Sequence, residues 1–494
     1  MKRILAASLV LALLVMAFPA VLAEEAPTFK VLSQTMVSGY PENDSDNVCL
    51  NALLERTGVR FAVEGYSSAD DYNTKLQLYI AGTTLPDVWY GSVDQVLEWK
   101  EQGIIIPITE LFEKHGQNMK PYMYPSSLAA FTYDDELWAL PSMYFFDNPG
   151  NEANSHGPII RKDWLEKLNL EIPTTLDELH TVLTAFSNND PDGNGAKDTY
   201  GMGSTADILD VAGNGMNLVY NTYGITPKHW YLRDGKAVKG FMTDEFKAAV
   251  AVLRDWYAQG LIDPEFPVMA SNNLEEKLIN SNIGVAFSHA WMTDSADPRE
   301  QSLRAMVPEA DLVGFSSVKG ESESYGIPPS FGSFRNIVIS AQCKDPDALM
   351  KALNWFAMDV ENWLLSENGI RGTHWDWDVD GNFARIEPYN DPVKRYEEGF
   401  ANPTRIQTMV DRRYNTQDVI SAIATFNAHV IDNAFWGTVP AMTEYLDIET
   451  DVAVTTLKVI QGELALEELD AMQARYLERG GQMIADQVNA FFGK

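Results

Sequence analysis

Fifteen residues from Ser187 to Gly201, SNNDPDGNGAKDTYG, hold three aspartates, three asparagines, three glycines and a proline. Counting from Asp190, oxygen-bearing side chains recur at Asp192, Asn194 and Asp198, and the Ala196 carbonyl is free to serve between the last two. A loop that turns alternate oxygens inward suits Ca²⁺, a hard ion that takes roughly six to eight oxygen ligands. Gly193 and Gly195 allow the backbone to fold that tightly. Three carboxylates crowded without a cation repel one another, so the spacing favours a metal-bound loop over a bare turn. The loop departs from an EF-hand at its last position, where Gly201 stands in place of a bidentate glutamate. Such an ion would be structural, pinning the loop after a predicted helix over 176–186. A second acidic turn, WDWDVDGN (375–382), alternates Asp376, Asp378, Asp380 and Asn382, and reads better as a hairpin turn. The histidines show no metal-like spacing, and Arg161 and Asp163 read as a cap on the helix that follows them.

The chain also carries 12 Trp and 20 Tyr, more than core packing at this size usually requires. Sugars present apolar C–H faces and rings of hydroxyls, so a carbohydrate cleft combines aromatic platforms with Asp, Asn, Glu or Arg side chains. Asp87, Trp89 and Tyr90 in LPDVWYG, and Trp375 and Trp377 in a loop rich in polar partners, are candidates for that role. For each the competing role is an aromatic of the core or the surface. Trp256 and Trp355 fall on helical apolar faces and are assigned to the core.

These residues need elements to position them. TFKVLSQTM (28–36) reads as a strand, SDNVCLNALLERTG (45–58) as a helix ending at Gly58, and RFAVEGY (60–66) as a second strand. DDYNTKLQLYIAG places Tyr72, Leu76, Tyr79 and Ile80 on one helical face before Gly82, and the strand LPDVWYG follows. Strands alternating with helices predict βαβαβ, a parallel sheet with right-handed crossovers. Ligands of such sheets bind beyond the carboxyl ends of the strands, where Asp87, Trp89 and Tyr90 would lie. Later segments repeat the pattern. Thr175 and Glu178 form a capping box, TDEFKAAVAVLRDWYAQG is an amphipathic helix, NIGVAFSHAW (282–291) and FRNIVISAQC (334–343) are buried strands, and DPDALMKALNWFAM (345–358) is a helix. The fold class is α/β nearly throughout, with no short repeat, low-complexity tract or Ser- or Pro-rich linker.

The first residues, MKRILAASLVLALLVMAFPAVLAEEAP, have a basic start, an apolar run and small residues before an acidic stretch. This pattern predicts a secretory signal peptide over 1–23, too short in its apolar run for a span. No later segment offers about 18 uninterrupted apolar residues, so the mature chain reads as soluble. Loss of Lys2 and Arg3 with the signal makes the net charge of −33 more negative still. Such a chain repels nucleic acid, anionic membrane and polyanionic ligands, which leaves a neutral ligand as the simpler expectation and opposes self-association. Only Cys49 and Cys343 occur, enough for one bridge or two free thiols and too few for a thiolate metal cluster.

The ordered set YNTKLQLYIAGTTLPDVWYG, YDDELWALP, IIRKDWLEKLNLEIPTTLDEL, NSNIGVAFSHAW and VIQGELALEELDAMQARYLERGGQMIADQVNAFF resembles extracellular solute-binding proteins of family 1, the sugar-capturing components of ABC importers. Within that group it is most similar to clostridial-type lipoproteins and periplasmic alginate-oligosaccharide-binding proteins. The resemblance implies a two-lobed periplasmic-binding-protein fold of type II, each lobe a mixed, mainly parallel sheet flanked by helices, joined by a hinge. By analogy the first lobe is 24–142 plus 326–362 and the second is 143–325 plus 363–494, the latter holding the calcium loop 190–198. Tyr144 and Phe145 then follow the first hinge. Trp291 ends a strand at a position similar to an aromatic that stacks on sugar in maltodextrin-binding relatives. The alginate-binding relatives carry a similar calcium loop with an acidic residue where this chain has Thr199, which brings Thr199 into the candidate ligand set. Many relatives are lipid-anchored through a cysteine at the cleavage site. This chain has none there, which favours a free periplasmic or secreted protein.

The expected function is a monomeric binding protein that delivers an oligosaccharide to a membrane permease. A secreted glycoside hydrolase, with two carboxylates about 5 to 9.5 Å apart, and a sugar-sensing binding protein are the alternatives. Neither GxSxG nor HExxH occurs.

Overall fold

The computed structural model describes residues 26–34, 40–142, 144–145, 155–210, 214–295, 297–328, 332–404, 408–409, 414–431, 433–445 and 447–492. The signal-peptide reading of 1–23 lies outside the described residues.

The first sheet starts as the sequence predicts. Thr28–Ser33 pairs in parallel with Arg60–Gly65, Thr28 opposite Arg60 and Ser33 opposite Gly65, and with Val88–Gly91 through Val31 opposite Val88. The crossover helices have ordinary local causes. Val48–Thr57 is capped by the Asn47 side chain, which accepts from the Leu50 amide at 2.9 Å, and stops at Gly58 in the left-handed region (φ 73°). Ala69–Gly82 is capped by Ser68, whose hydroxyl accepts from the Asp71 amide at 3.0 Å.

The sheet is then completed from a distant part of the chain. Gly332–Ile339 adds antiparallel to Val88–Gly91, Asn336 opposite Gly91 and Ile339 opposite Val88, and Leu140–Ser142 pairs antiparallel on its far side. The second sheet runs Leu312–Gly314, His156–Arg161, Ile283–His289, Tyr200–Met202, and only the last pair is parallel. Both sheets are mixed, as expected, but parallel pairs do not dominate either one. In the first sheet the cause is that Gly332–Ile339 re-enters in the opposite direction after the chain has built the second lobe, whereas in the second sheet strands of one continuous stretch, 156–314, run antiparallel to their neighbours.

Three apolar clusters divide between the lobes. One gathers Phe29, Trp89, Ile337 and Leu353. The others lie around the second sheet and include Phe186, Phe246 and Val488, and Phe287, Val419 and Phe426. Gly284 in the central strand of the second sheet is needed for close packing, since a Cβ there would lie 2.1 Å from the Phe186 ring. Arg161, wholly buried, lies over the Trp164 ring and is fixed by Asp163 at 2.6 and 2.8 Å; it stands at the start of the helix Lys162–Leu168, but the expected side-chain cap is absent there because its guanidinium is taken up by Asp163 and Ser281.

One expected boundary is corrected. Residues 363–404 pack on the first-lobe core, not the second: Trp363, Leu364, Trp375 and Phe400 belong to the cluster that holds Phe29 and Trp89. Backbone bonds agree, with the Cys49 amide donating to the Glu398 carbonyl at 3.0 Å. Besides the passages near 142–156 and 314–332, a third passage between the cores therefore falls between 404 and 417. Two of the passages run side by side, Thr408 opposite Tyr144 and Met409 opposite Phe145, in parallel. Cys49 and Cys343 are free thiols, and burial pushes the Cys343 thiol up to about 11. Among the described residues no helix is long and apolar enough to cross a membrane.

Candidate ligand-binding site

The two sheets present their ends to the passages that join them. In the second sheet the strand Ile283–His289 ends where His156–Arg161 begins, because the antiparallel register sets His289 opposite His156. A short turn, Ala290–Thr293, follows and carries Trp291, half-buried, with its ring centre 6.1 Å from that of His289. His156 meets His289 edge to face at 6.0 Å.

Charged groups from two further elements close on this corner. Glu275, in the helix Ser271–Ile279, reaches His289 Nε2 at 3.1 Å and accepts from Arg299 Nη1 at 3.0 Å. Asp297 caps the helix Pro298–Met306 and holds the Arg299 guanidinium by two bonds, at 2.8 and 2.7 Å. Burial alone would raise the Glu275 carboxyl, but His289 and Arg299 outweigh it and hold it below the usual carboxylate range. Burial, with His289 adding to it, pushes the His156 imidazole down to about 4. The corner thus offers an indole face beside paired donors and acceptors whose charges largely cancel, which suits hydroxyls better than ions.

On the first lobe, Glu64 near the carboxyl end of Arg60–Gly65 accepts from Tyr66 at 2.6 Å and from Tyr79, and pairs with Lys75 at 2.9 Å. Burial works to raise this carboxyl and these partners more than offset it.

The candidate residues named from sequence separate into enclosed and accessible ones. Trp89 is 0 % exposed and meets Trp99 edge-on at 5.6 Å. Tyr90 is 3 % exposed, and its hydroxyl donates to the Thr404 carbonyl. Trp375 is 1 % exposed, and its Nε1 donates to Gly369 O at 2.8 Å. These three back the first-lobe core and present no open face: Trp89 and Tyr90 because Val88–Gly91 is buried along its whole length, and Trp375 because it packs into the same cluster beside Phe383. Asp87 accepts from the Lys30 amide at 2.8 Å and so ties two strands together. Trp377 is half-buried against Trp375, and its Nε1 donates to Glu361 at 2.9 Å. Tyr144 and Phe145 lie on the first passage, and their side chains are outside the described residues. Of the candidates whose side chains are described, only Trp291 sits at the corner above. His156, Glu275, His289 and Arg299 were missed. Their separation in sequence hides them: strand register sets the two histidines opposite each other, and two helices bring Glu275 and Arg299 to that corner.

The acidic loop is tight. Asp190 (φ 49°), Gly193 (φ 77°) and Gly195 (φ 78°) are all left-handed, and Asp190 accepts from the Gly193 and Gly195 amides at 3.0 and 3.1 Å. The Asn194 amide group donates to Asp192 at 2.7 Å and to Asp198 at 3.2 and 3.3 Å, while Asn194 Oδ1 accepts from the Ala196 amide at 2.6 Å. Burial and the neighbouring Asp190 raise the Asp192 carboxyl. Asp190 itself is lowered, since the Asp192 contact and the loop amides outweigh burial. The donor set is all oxygen and fits calcium chemically. Among the described residues, however, no group of three or more His, Cys, Asp or Glu side chains is arranged to hold a metal ion. Thr199 is corrected as a ligand position: it is 4 % exposed, and its hydroxyl donates inward to the Phe186 carbonyl at 2.8 Å. The 375–382 turn is the expected hairpin, with Asp378 accepting from the Asp380 and Asn382 amides at 2.9 and 2.8 Å.

The profile of the bacterial extracellular solute-binding protein family matches residues 51–363. The chain belongs to that family. Lipoprotein LipO of Bacillus subtilis (strain 168) is 30% identical over 259 residues, 49% of this chain and 48% of LipO. The fructooligosaccharide ABC transporter substrate-binding protein FusA of Streptococcus pneumoniae serotype 4 is 28% identical over 303 residues, 58% of this chain and 50% of FusA. The chain thus spans about half the length of these two curated relatives. The crystal structure of the alginate-binding protein AlgQ2 without calcium ion superposes with a TM-score of 0.69 at 18% identity, over 95% of this chain and 99% of that one. An EF-hand mutant of FusA in complex with fructo-nystose gives 0.68 at 19%, over 94% and 99%. These likenesses show the two-lobed solute-binding fold.

A pH dependence follows from two imidazoles. Burial pushes His229, 5.3 Å from the Trp436 ring, down to about 4, as it does His156. The unfolded chain takes up these protons at about pH 6.5 and the folded chain only near 4, so the unfolded state binds more protons through that window. The melting temperature should therefore fall as pH drops from about 6.5 towards 4, and His156→Gln with His229→Gln should flatten that fall. An equally steep fall in the double variant would refute the assignment.

Proposed function

We propose that this chain is the exported, extracytoplasmic solute-binding component of an ABC importer. It captures an oligosaccharide between its lobes as a monomer and hands it intact to the membrane permease. The observation that carries this reading is the corner around Trp291: an indole platform with charge-balanced donors and acceptors, at the end of the second sheet that faces the passages between lobes. Lobes joined by three passages can close by a hinge, desolvating a sugar and presenting both surfaces to a transporter. Tyr144 and Phe145, on the first passage, complete the proposed lining. The net charge of −33 favours a neutral sugar over a polyanion, and FusA, a relative of this chain, is a fructooligosaccharide-binding protein. The protein is a binder without chemistry of its own, so no pair of carboxylates is assigned to bond cleavage.

Titration calorimetry with neutral oligosaccharides, fructooligosaccharides first, tests the reading. We expect binding with the sugar recovered uncleaved, and Trp291→Ala should weaken it by roughly ten- to a hundredfold, as loss of a buried aromatic anchor does. Cleaved product would move the chain to the hydrolases, and normal binding by Trp291→Ala would remove the corner from the site.

We also propose that loop 190–198 takes up Ca²⁺ through Asp190, Asp192, Asn194, Asp198 and the Ala196 carbonyl once the Asn194 amide turns away from the carboxylates. A ligand that binds only the folded state adds about 2.7 kcal/mol at a hundredfold excess over its dissociation constant. Chelator should lower the melting temperature of the wild type and leave that of Asp190→Ala with Asp192→Ala unchanged. Equal sensitivity in both proteins would reject the calcium site.

A further inference from the structure

The segment Asn433–Pro440, NAFWGTVP, belongs to the second lobe by its anchors and reaches the first lobe at its middle. At one end, Asn433 Oδ1 accepts from the amides of Trp230 and Phe435 at 2.9 and 3.3 Å, and the Ala434 amide donates to the Trp230 carbonyl at 2.7 Å. At the other, the Ala441 amide donates to Gln487 Oε1 at 2.9 Å. Phe435 and Val439 are buried in the second-lobe core.

Between these anchors the side chains turn the other way. Trp436 packs against the first-lobe cluster while its ring stays 5.3 Å from that of His229 in the second lobe. Thr438, only 8 % exposed, donates its hydroxyl to Asp94 Oδ1. Asp94 stands in the first turn of the helix Val93–Glu101, directly after the strand Val88–Gly91. That strand end lies on the same side of the first sheet as Ser142 and Gly332, where the chain passes between lobes.

We propose that Asn433–Pro440 is an inter-lobe strap. It is rooted in the second lobe and clasps the first through the Trp436 ring and the Thr438–Asp94 hydrogen bond, and so holds the lobes in the relative orientation of this structure independently of any ligand. Asp94 is itself exposed, but the Thr438 hydroxyl that it binds is buried, and a hydrogen bond to a carboxylate is stronger than one between neutral groups, while a fixed aromatic adds apolar area at the same seam. Because the clasp is not part of the chain passages, it can open without breaking a sheet.

Amide hydrogen exchange on the ligand-free, full-length chain tests this. Thr438→Val keeps the shape of the side chain and removes its donor. We expect it to speed exchange about tenfold at 436–438 and, across the seam, in the first turn of Val93–Glu101, with exchange in both sheets unchanged. Asp94→Ala should do the same, the two together should do no more than either alone, and Asp94→Asn, which keeps an acceptor oxygen, should stay close to wild type. Should Thr438→Val fail to fold, Asp94→Ala on the opposite lobe reads the same seam. Faster exchange confined to the substituted lobe, or none in either, would overturn the strap. Sugar binding does not enter the measurement, so its outcome is independent of the proposed function.

Discussion

A strand buried inside a sheet must have both its edges paired, and Val88–Gly91 meets that requirement with chain from far away. Its outer edge is covered by Gly332–Ile339, which arrives antiparallel after the chain has built most of another lobe. The backbone groups of a fully buried strand have no water to turn to, so this pairing is obligatory. It forces the chain to leave the first lobe, return and leave again, which produces several passages side by side. Ligand capture between the lobes depends on that arrangement, because it joins separate cores by several passages and brings strand ends of both sheets to them.

The seam has two kinds of surface. At the second-lobe corner, Trp291, His289, Glu275 and Arg299 come from a turn, a strand and two helices, and their mutual bonds fix the indole's surroundings before any ligand arrives. A site organised in advance loses less ordering entropy on binding. At the strap, Trp436 and Thr438 bind one lobe to the other. On the readings proposed above, one surface meets a sugar and the other sets how far the lobes separate, so the strength of the strap enters the apparent affinity through the cost of closure.

Much of the fold was legible in the sequence where local chemistry determines it. Asn47 and Gly58 bound one helix, Ser68 starts another, and the Thr175–Glu178 capping box opens the helix Leu176–Asn188, all as their residue types dictate. Strand direction was less legible, since whether FRNIVISAQC enters parallel or antiparallel depends on the path of about two hundred preceding residues and on no residue within it. The site divided in the same way. Trp291 follows its strand as expected, whereas Trp89 and Tyr90 end a strand covered on both faces and so became core. His156 and His289 stand far apart in sequence and meet only through register. The acidic loop shows the limit of spacing as a guide: alternate oxygens are present, yet Thr199 turns inward and the Asn194 amide lies among the carboxylates.

The central claim is that the lobes close on an oligosaccharide, and small-angle scattering on the wild-type chain tests it most directly. With a saturating amount of a sugar shown by calorimetry to bind, the radius of gyration should fall below that of the ligand-free protein while the mass stays that of a monomer. An unchanged radius of gyration at saturation would contradict the account.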